Sequence, residues 1–251
     1  MLCLKTGLLA EVKTSVLTYR EGQTTLEGLY AFDDAFTGKR PGILVVHDWM
    51  GVTDSTRETL EMLARGGYAA FASDIYGQGI RPSNPQEAAA EAGKYKADRA
   101  LLRKRVNAGL VQLQSAAEVD STRLAALGFC FGGTTVLELA RSGANVQGVV
   151  SFHGGLDSPS PEDGKHIKSK VLVLHGADDP FVKPQDIIAF QEELRKAKVD
   201  WQMMYFGNAV HSFTQQKAGT DNSKGAAYNE PASRRSWLIT KAFFSELFGS
   251  H

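Results

Sequence analysis

No apolar run in the 251-residue chain reaches the roughly 18 residues that a membrane-spanning helix needs, so none is expected. Cysteine is nearly missing as well. Cys3 lies near the N-terminus and Cys130 in a glycine-rich turn, which excludes a disulfide framework and suits a reducing, cytoplasmic compartment. Charge of one sign is missing too. Lys+Arg and Asp+Glu both count 28, for a net charge of 0, so nothing draws the chain broadly to nucleic acid or an anionic membrane. Neither His-x-His nor His-Glu-x-x-His spacing occurs, which leaves a metallohydrolase without ligands. Internal repeats and low-complexity tracts are absent. The start, Met1-Leu2-Cys3-Leu4-Lys5, meets charge too early for a signal peptide. Residues 1–12 carry neither strand nor helix period and read as a leader or disordered terminus, leaving 13–251 as one domain.

What is present alternates. Strands are expected at Thr14–Tyr19, Thr24–Phe32, Ile43–Val46, Tyr68–Ser73, Arg123–Leu127, Val146–Phe152, Val171–Leu174 and Trp201–Phe206. Between and after them the sequence reads as helix from Asp54 or Ser55 to Arg65, mostly over Pro85–Glu118, and over Thr134–Arg141, Pro184–Lys196 and Ser233–Phe248. Tyr76–Pro85 and Ser158–Lys168 are irregular. Such alternation is the pattern of an α/β fold, a mainly parallel sheet covered by helices on both faces. In such sheets ligands bind beyond the carboxyl ends of the strands. Those ends are unusually rich in ionisable and aromatic groups: His47-Asp48-Trp49, Asp74-Ile75-Tyr76, Gly128-Phe129-Cys130, His153-Gly154, His175 to Asp179 and Gly207 to His211.

One of them has the spacing of a nucleophile elbow. Strand 123–127 runs into Gly128-Phe129-Cys130-Phe131-Gly132-Gly133, and a helix follows. A sharp strand-to-helix turn strains the central residue and pushes its side chain into the cleft, while the glycines keep neighbouring atoms clear. The helix N-terminus favours a thiolate, and the Phe131 amide points to where an oxyanion would form. A free thiol, with a pKa of about 8.5, needs a base to act near neutrality. In elbow folds the order is nucleophile, acid, histidine, which selects His211 over His47, His153 and His175. For the acid, Asp178 and Asp179 both follow strand 171–174. The turn from Gly176 and the fixing effect of Pro180 favour Asp179. It would set the His211 tautomer and stabilise the imidazolium.

From about Val12 onward the chain resembles the dienelactone hydrolase family of the α/β-hydrolase superfamily. The resemblance rests on Val46-His47-Asp48-Trp49-Met50-Gly51, Asp74-Ile75-Tyr76-Gly77, Gly128 to Gly133, His175 to Val182 and His211-Ser212-Phe213. It implies a Cys130, Asp179 and His211 triad, with the amides of Trp49 and Phe131 as oxyanion donors. Two positions depart from the family. Asp48 stands where the family often has a glutamate that interacts with the resting thiol, and is one methylene shorter. Gln78 and Gln215 match positions where the enzymes that open dienelactones hold two arginines for the substrate carboxylate, and Arg81 lies near the first. Glutamine offers only neutral hydrogen bonds in place of a charged, bidentate clamp. Tyr76, Phe152 and Phe213, at strand ends, are further pocket candidates.

The reading that follows is a cofactor-independent hydrolase of neutral esters or lactones, passing through a thioester on Cys130. Its partner is a small-molecule ester, with neither nucleic acid nor membrane, and a homodimer is left open. The same thiolate could attack a phosphotriester or aryl ester, and a non-catalytic ligand-binding relative of the fold is the rival outside enzymology.

Overall fold

In the computed structural model, residues 11–249 are described; Cys3, most of the expected leader and His251 lie outside them. Eight strands form one sheet: β1 (Val12–Glu21), β2 (Thr24–Asp33), β3 (Arg40–Val46), β4 (Ala69–Ser73), β5 (Val119–Phe129), β6 (Gly148–Phe152), β7 (Lys170–Gly176) and β8 (Trp201–Phe206). Their spatial order is β1-β2-β4-β3-β5-β6-β7-β8. β1 and β2 pair antiparallel at one edge, β2 meets β4 antiparallel, and every pairing from β4 to β8 is parallel. The mainly parallel sheet expected from the alternation is observed, in the α/β-hydrolase arrangement that the resemblance implied.

Among the described residues six α-helices cover the sheet: α1 (Asp54–Arg65), α2 (Pro85–Ala97), α3 (Arg99–Gln114), α4 (Phe131–Arg141), α5 (Pro184–Ala197) and α6 (Glu230–Phe248). Alternate residues of the buried strands serve opposite faces. Ile43 and Val45 of β3 join Leu60 of α1 and Phe243 and Phe244 of α6 in one core. Leu44 and Val46 join Leu102 of α3, Val136 of α4 and Phe190 of α5 in the other. The connection from β3 through α1 and the one from β4 through α2 and α3 leave in opposite directions along the sheet. The resulting switch lies between β3 and β5, where a crevice opens at the strand ends.

The boundaries differ from the sequence reading where side chains cap. The expected helix over Pro85–Glu118 is broken at Asp98, whose carboxylate accepts the Leu101 amide at 2.9 Å and starts α3 afresh. α6 begins at Glu230, three residues before the expected Ser233, because Asn229 caps it by accepting the Ala232 amide at 3.1 Å. α4 starts directly after Cys130. At its far end Arg141, almost fully buried, grips Glu193 of α5 with two bonds of 2.8 and 2.7 Å and Glu138 at 2.9 Å. That pairing ties α4, the helix that follows Cys130, to α5.

Candidate active site

The turn at Cys130 is strained. Cys130 adopts φ 55° and ψ −115°, a conformation that L residues avoid and that persists only when the surroundings fix it. Its amide donates to the Phe152 carbonyl of β6 at 3.0 Å. A Cβ on Gly132 would sit 2.2 Å from the Val46 carbonyl and 2.5 Å from that of His47, so the packing of α4 on β3 demands glycine. Gly128 is equally constrained, since its Cβ would lie 2.1 Å from the Gly132 carbonyl.

His211 is brought to the turn from 81 positions later. Its Nε2 lies 3.0 Å from Cys130 Sγ and its Nδ1 2.8 Å from Asp179 Oδ2. The Asp179 carboxylate is fully buried, and its second oxygen accepts the Phe181 amide at 2.9 Å. Asp178, the alternative acid, is exposed. With Asp179 on Nδ1, that nitrogen carries the proton in the neutral ring and Nε2 faces the sulfur. Burial opposes a charge on His211. The hydrogen bonds to Asp179 and Cys130, and the charges of both, outweigh it and push the imidazole up to about 10.

The other strand-end histidines are held neutral. His47 accepts the Ile75 amide on Nε2 at 3.2 Å, so its Nδ1–H donates to the Asp48 carbonyl at 2.5 Å. Burial lowers its pKa, and it joins the loops after β3 and β4. His175 is likewise lowered by burial. His153 has its Nε2 2.8 Å from the Thr214 hydroxyl, while burial and then the neighbouring His211 keep its pKa well below the ordinary value.

The loop that carries Trp49 is held by side-chain bonds. Tyr76 is buried and donates its hydroxyl to the Trp49 carbonyl at 3.0 Å, and Met50 donates its amide to Asp48 Oδ1 at 2.8 Å. Phe131 opens α4, where an N–H has no acceptor within the helix. Among the described residues no hydrogen bond engages the amide of Trp49 or Phe131.

Several of the residues singled out in the sequence stand elsewhere. Asp48 makes no hydrogen bond to the thiol among the described residues: Oδ1 takes Met50 and Oδ2 takes the Gln215 side chain at 2.7 Å. Gln78 is exposed and bonds Glu27 at 3.1 Å. Arg81 is tied to the carbonyls of Gly77, Ile80 and Glu27 and lies 3.6 Å from Asp74, so its charge is already matched. Phe152 is fully buried, its ring stacked on Phe129 at 4.8 Å. Phe213 is fully buried against His153, with ring centroids 5.1 Å apart.

A cleft of about 660 Å³ lies between α1 and α6, lined by Asp48, Trp49, Met62, Phe129, Gln215 and Trp237 among others. Cys130 does not itself line it, although its neighbour Phe129 does. The lining contains no arginine; its charged members are half-buried Asp48 and exposed Glu58 and Lys217. Trp237 and Thr214 escaped the sequence reading, because no spacing tells which face of α6 or of the post-β8 loop turns to the cleft; Phe129 was named only as part of the elbow. His153 had its signal, a histidine at a strand end, but the chain order set it aside. No group of acidic, histidine or cysteine side chains among the described residues could hold a metal ion. None of the described helices is long and apolar enough to cross a membrane.

The sequence matches the dienelactone hydrolase family over residues 26–248. A solved structure described as a dienelactone hydrolase-like promiscuous phosphotriesterase from metagenomic libraries is 41% identical, covers 95% of this chain and 99% of its own, and superposes with a TM-score of 0.90. Another, named m3DLH, is also 41% identical over 94% of this chain and 99% of its own, with a TM-score of 0.91. An uncharacterized protein of Caenorhabditis elegans is 35% identical over 152 residues, 59% of this chain and 94% of its own length. The chain belongs to the dienelactone hydrolase family.

Proposed function

We propose that this ester or lactone hydrolase works through a Cys130–His211–Asp179 triad and a thioester intermediate, without a cofactor. The observation that carries the reading is the run of bonds from buried Asp179 through His211 to the sulfur, at 2.8 and 3.0 Å, ending on a strained turn. His211 accepts the thiol proton on Nε2, leaving a Cys130 thiolate beside an imidazolium. The thiolate attacks the acyl carbon and forms a C–S bond, while the amides of Trp49 and Phe131 receive the oxyanion. As the tetrahedral centre collapses, the C–O bond breaks and the His211 imidazolium gives its Nε2 proton to the departing alkoxide. Neutral His211 then takes a proton from water, whose oxygen attacks the thioester. The C–S bond breaks, the acid leaves, and the ion pair returns.

Neutral substrates fit best. Arg81 is matched by its own neighbours, Gln215 is bonded to Asp48, and no buried cation lines the cleft. A thiol nucleophile also fits a reducing, cytoplasmic setting. The test is intact mass after mixing with a slow aryl ester: one acyl adduct should map to Cys130, and Cys130→Ala should be inactive. An adduct on a serine, or full activity in Cys130→Ala, would end the reading.

A second activity on neutral phosphotriesters is favoured by the 41% identical neighbour described as a promiscuous phosphotriesterase. The same thiolate would form a P–S bond and expel an aryloxide protonated by His211. Water would then break the P–S bond, which is weaker than the P–O bond of a phosphorylated serine. Release of more than one equivalent of aryl alcohol per enzyme, absent in Cys130→Ala, is the expected result. A single equivalent followed by silence would mean inhibition only.

A further inference from the structure

His211 is held between two rings. On its inner side His153 approaches with centroids 5.2 Å apart and planes at 65°. On the outer side Phe181 stands at 5.4 Å and 88°. Phe181 is 62% exposed, whereas His153 is wholly buried, so the inner wall is the rigid one. His153 is an expensive residue to keep there. Its φ is +40°, its Nδ1 has no hydrogen-bond partner, and its amide is pinned to the Leu174 carbonyl at 2.9 Å. An apolar side chain would fill the same volume without an unpaired buried nitrogen. What distinguishes histidine is the 2.8 Å contact of Nε2 with the Thr214 hydroxyl. Thr214 is half-buried and lines the cleft, three residues after His211.

We infer that His153 is a positioning residue for the base, a wall that keeps the His211 imidazole on the line between Cys130 and Asp179 and is itself held in place by Thr214. The inference rests on the proposed triad and adds to it. An imidazole carried on a loop after β8 has rotamers that leave Asp179, and a misplacement on the order of 1 Å can cost about 10²-fold in rate. His153 blocks the inward swing. Because the ring is neutral and packed edge against face, it does so without repelling the imidazolium. The ionisable groups around His211 are then Asp179 and His175 from the end of β7, Cys130 from the elbow, and His153 from the end of β6.

The test uses the full chain and three variants. His153→Leu removes the ring and should lower kcat about tenfold with KM nearly unchanged, because substrate contacts stay in place. A loosened His211 loses part of its bond to Asp179, so the alkaline limb of the kcat/KM profile should move to lower pH. A merely structural role would lower the amount of folded enzyme and leave that limb where it was. His153→Phe restores a ring and should recover most of kcat. Thr214→Val cuts only the hydroxyl contact and should show a smaller kcat loss with a shift of the same sign, even if His153→Leu folds poorly. Unshifted alkaline limbs in Thr214→Val and in whatever His153→Leu folds would overturn the inference. Acyl adducts are mapped in parallel on the unsubstituted protein. An adduct on Cys130 with unshifted limbs defeats the role of His153 alone, whereas no adduct on Cys130 defeats the triad reading beneath it.

Discussion

The Gln215 side-chain amide donates to the carboxylate of Asp48 at 2.7 Å, joining loops 167 positions apart in sequence. The other carboxylate oxygen takes the Met50 amide, so both are engaged in ordering the loop that carries Trp49. Asp48 is therefore better suited to shaping the loop that carries Trp49 than to modulating the thiol. Asp48→Asn keeps an oxygen for Met50 and should hold kcat/KM within about threefold, while Asp48→Ala should lose about tenfold. Iodoacetamide alkylation of Cys130 followed against pH decides between the roles. A shift of about one unit or more in Asp48→Asn would show that the carboxylate acts on the thiol directly.

The two aspartates after β7 should behave very differently. Asp179 is buried and bonded to His211, whereas Asp178 is exposed. Asp179→Asn should lower kcat on the order of 10²-fold or more, because an amide no longer favours the productive tautomer or the imidazolium. Asp178→Asn should stay within about threefold. Equal losses from the two substitutions would contradict the geometry.

Much of this was legible in the chain, for reasons that differ from residue to residue. Gly128, Cys130 and Gly132 announce an elbow because a sharp strand-to-helix turn tolerates few residue types at those positions. The parallel sheet shows in the short apolar runs, since β3, β4, β6 and β7 are buried on both faces. What stayed hidden depends on distant partners. Arg81 looks like an available cation until Glu27 and Asp74 are seen beside it. Phe152 and Phe213 sit at strand ends yet face the core. The cleft wall at Trp237 depends on how α6 is rotated, which the pattern of that helix leaves unspecified.

The pH dependence of the rate follows from His211, whose imidazole is pushed up to about 10. Acylation needs its proton for the leaving group, so kcat/KM should fall as pH rises through about 10, most steeply for alkyl esters. Aryl esters, whose leaving groups need little protonation, should show a shallower fall. A limb near pH 6.5, the ordinary histidine value, for both classes would mean that the imidazolium is not stabilised as the bonds to Asp179 and Cys130 require.

The last prediction concerns stability. His47, His153 and His175 are buried with lowered pKa values, each chiefly through burial. Below the unfolded value of about 6.5 the unfolded chain takes up protons that the folded histidines refuse, so stability falls as pH falls. Each such group contributes a slope of up to about 1.4 kcal/mol per pH unit. His211 acts in the opposite sense. Its folded value is raised, so its contribution is fully present below about 6.5 and is lost as pH rises through about 10. Together these groups place the stability maximum near neutrality, with a steep acid side. Denaturant unfolding at several pH values between about 5.5 and 6.5 isolates the histidines from the carboxylates, which titrate lower. His153→Phe removes one proton-refusing group, so its acid slope over that range should be shallower by about 1 kcal/mol per unit, whatever its stability at neutral pH. An unchanged slope would mean that His153 takes up its proton in the folded protein as readily as in the unfolded chain.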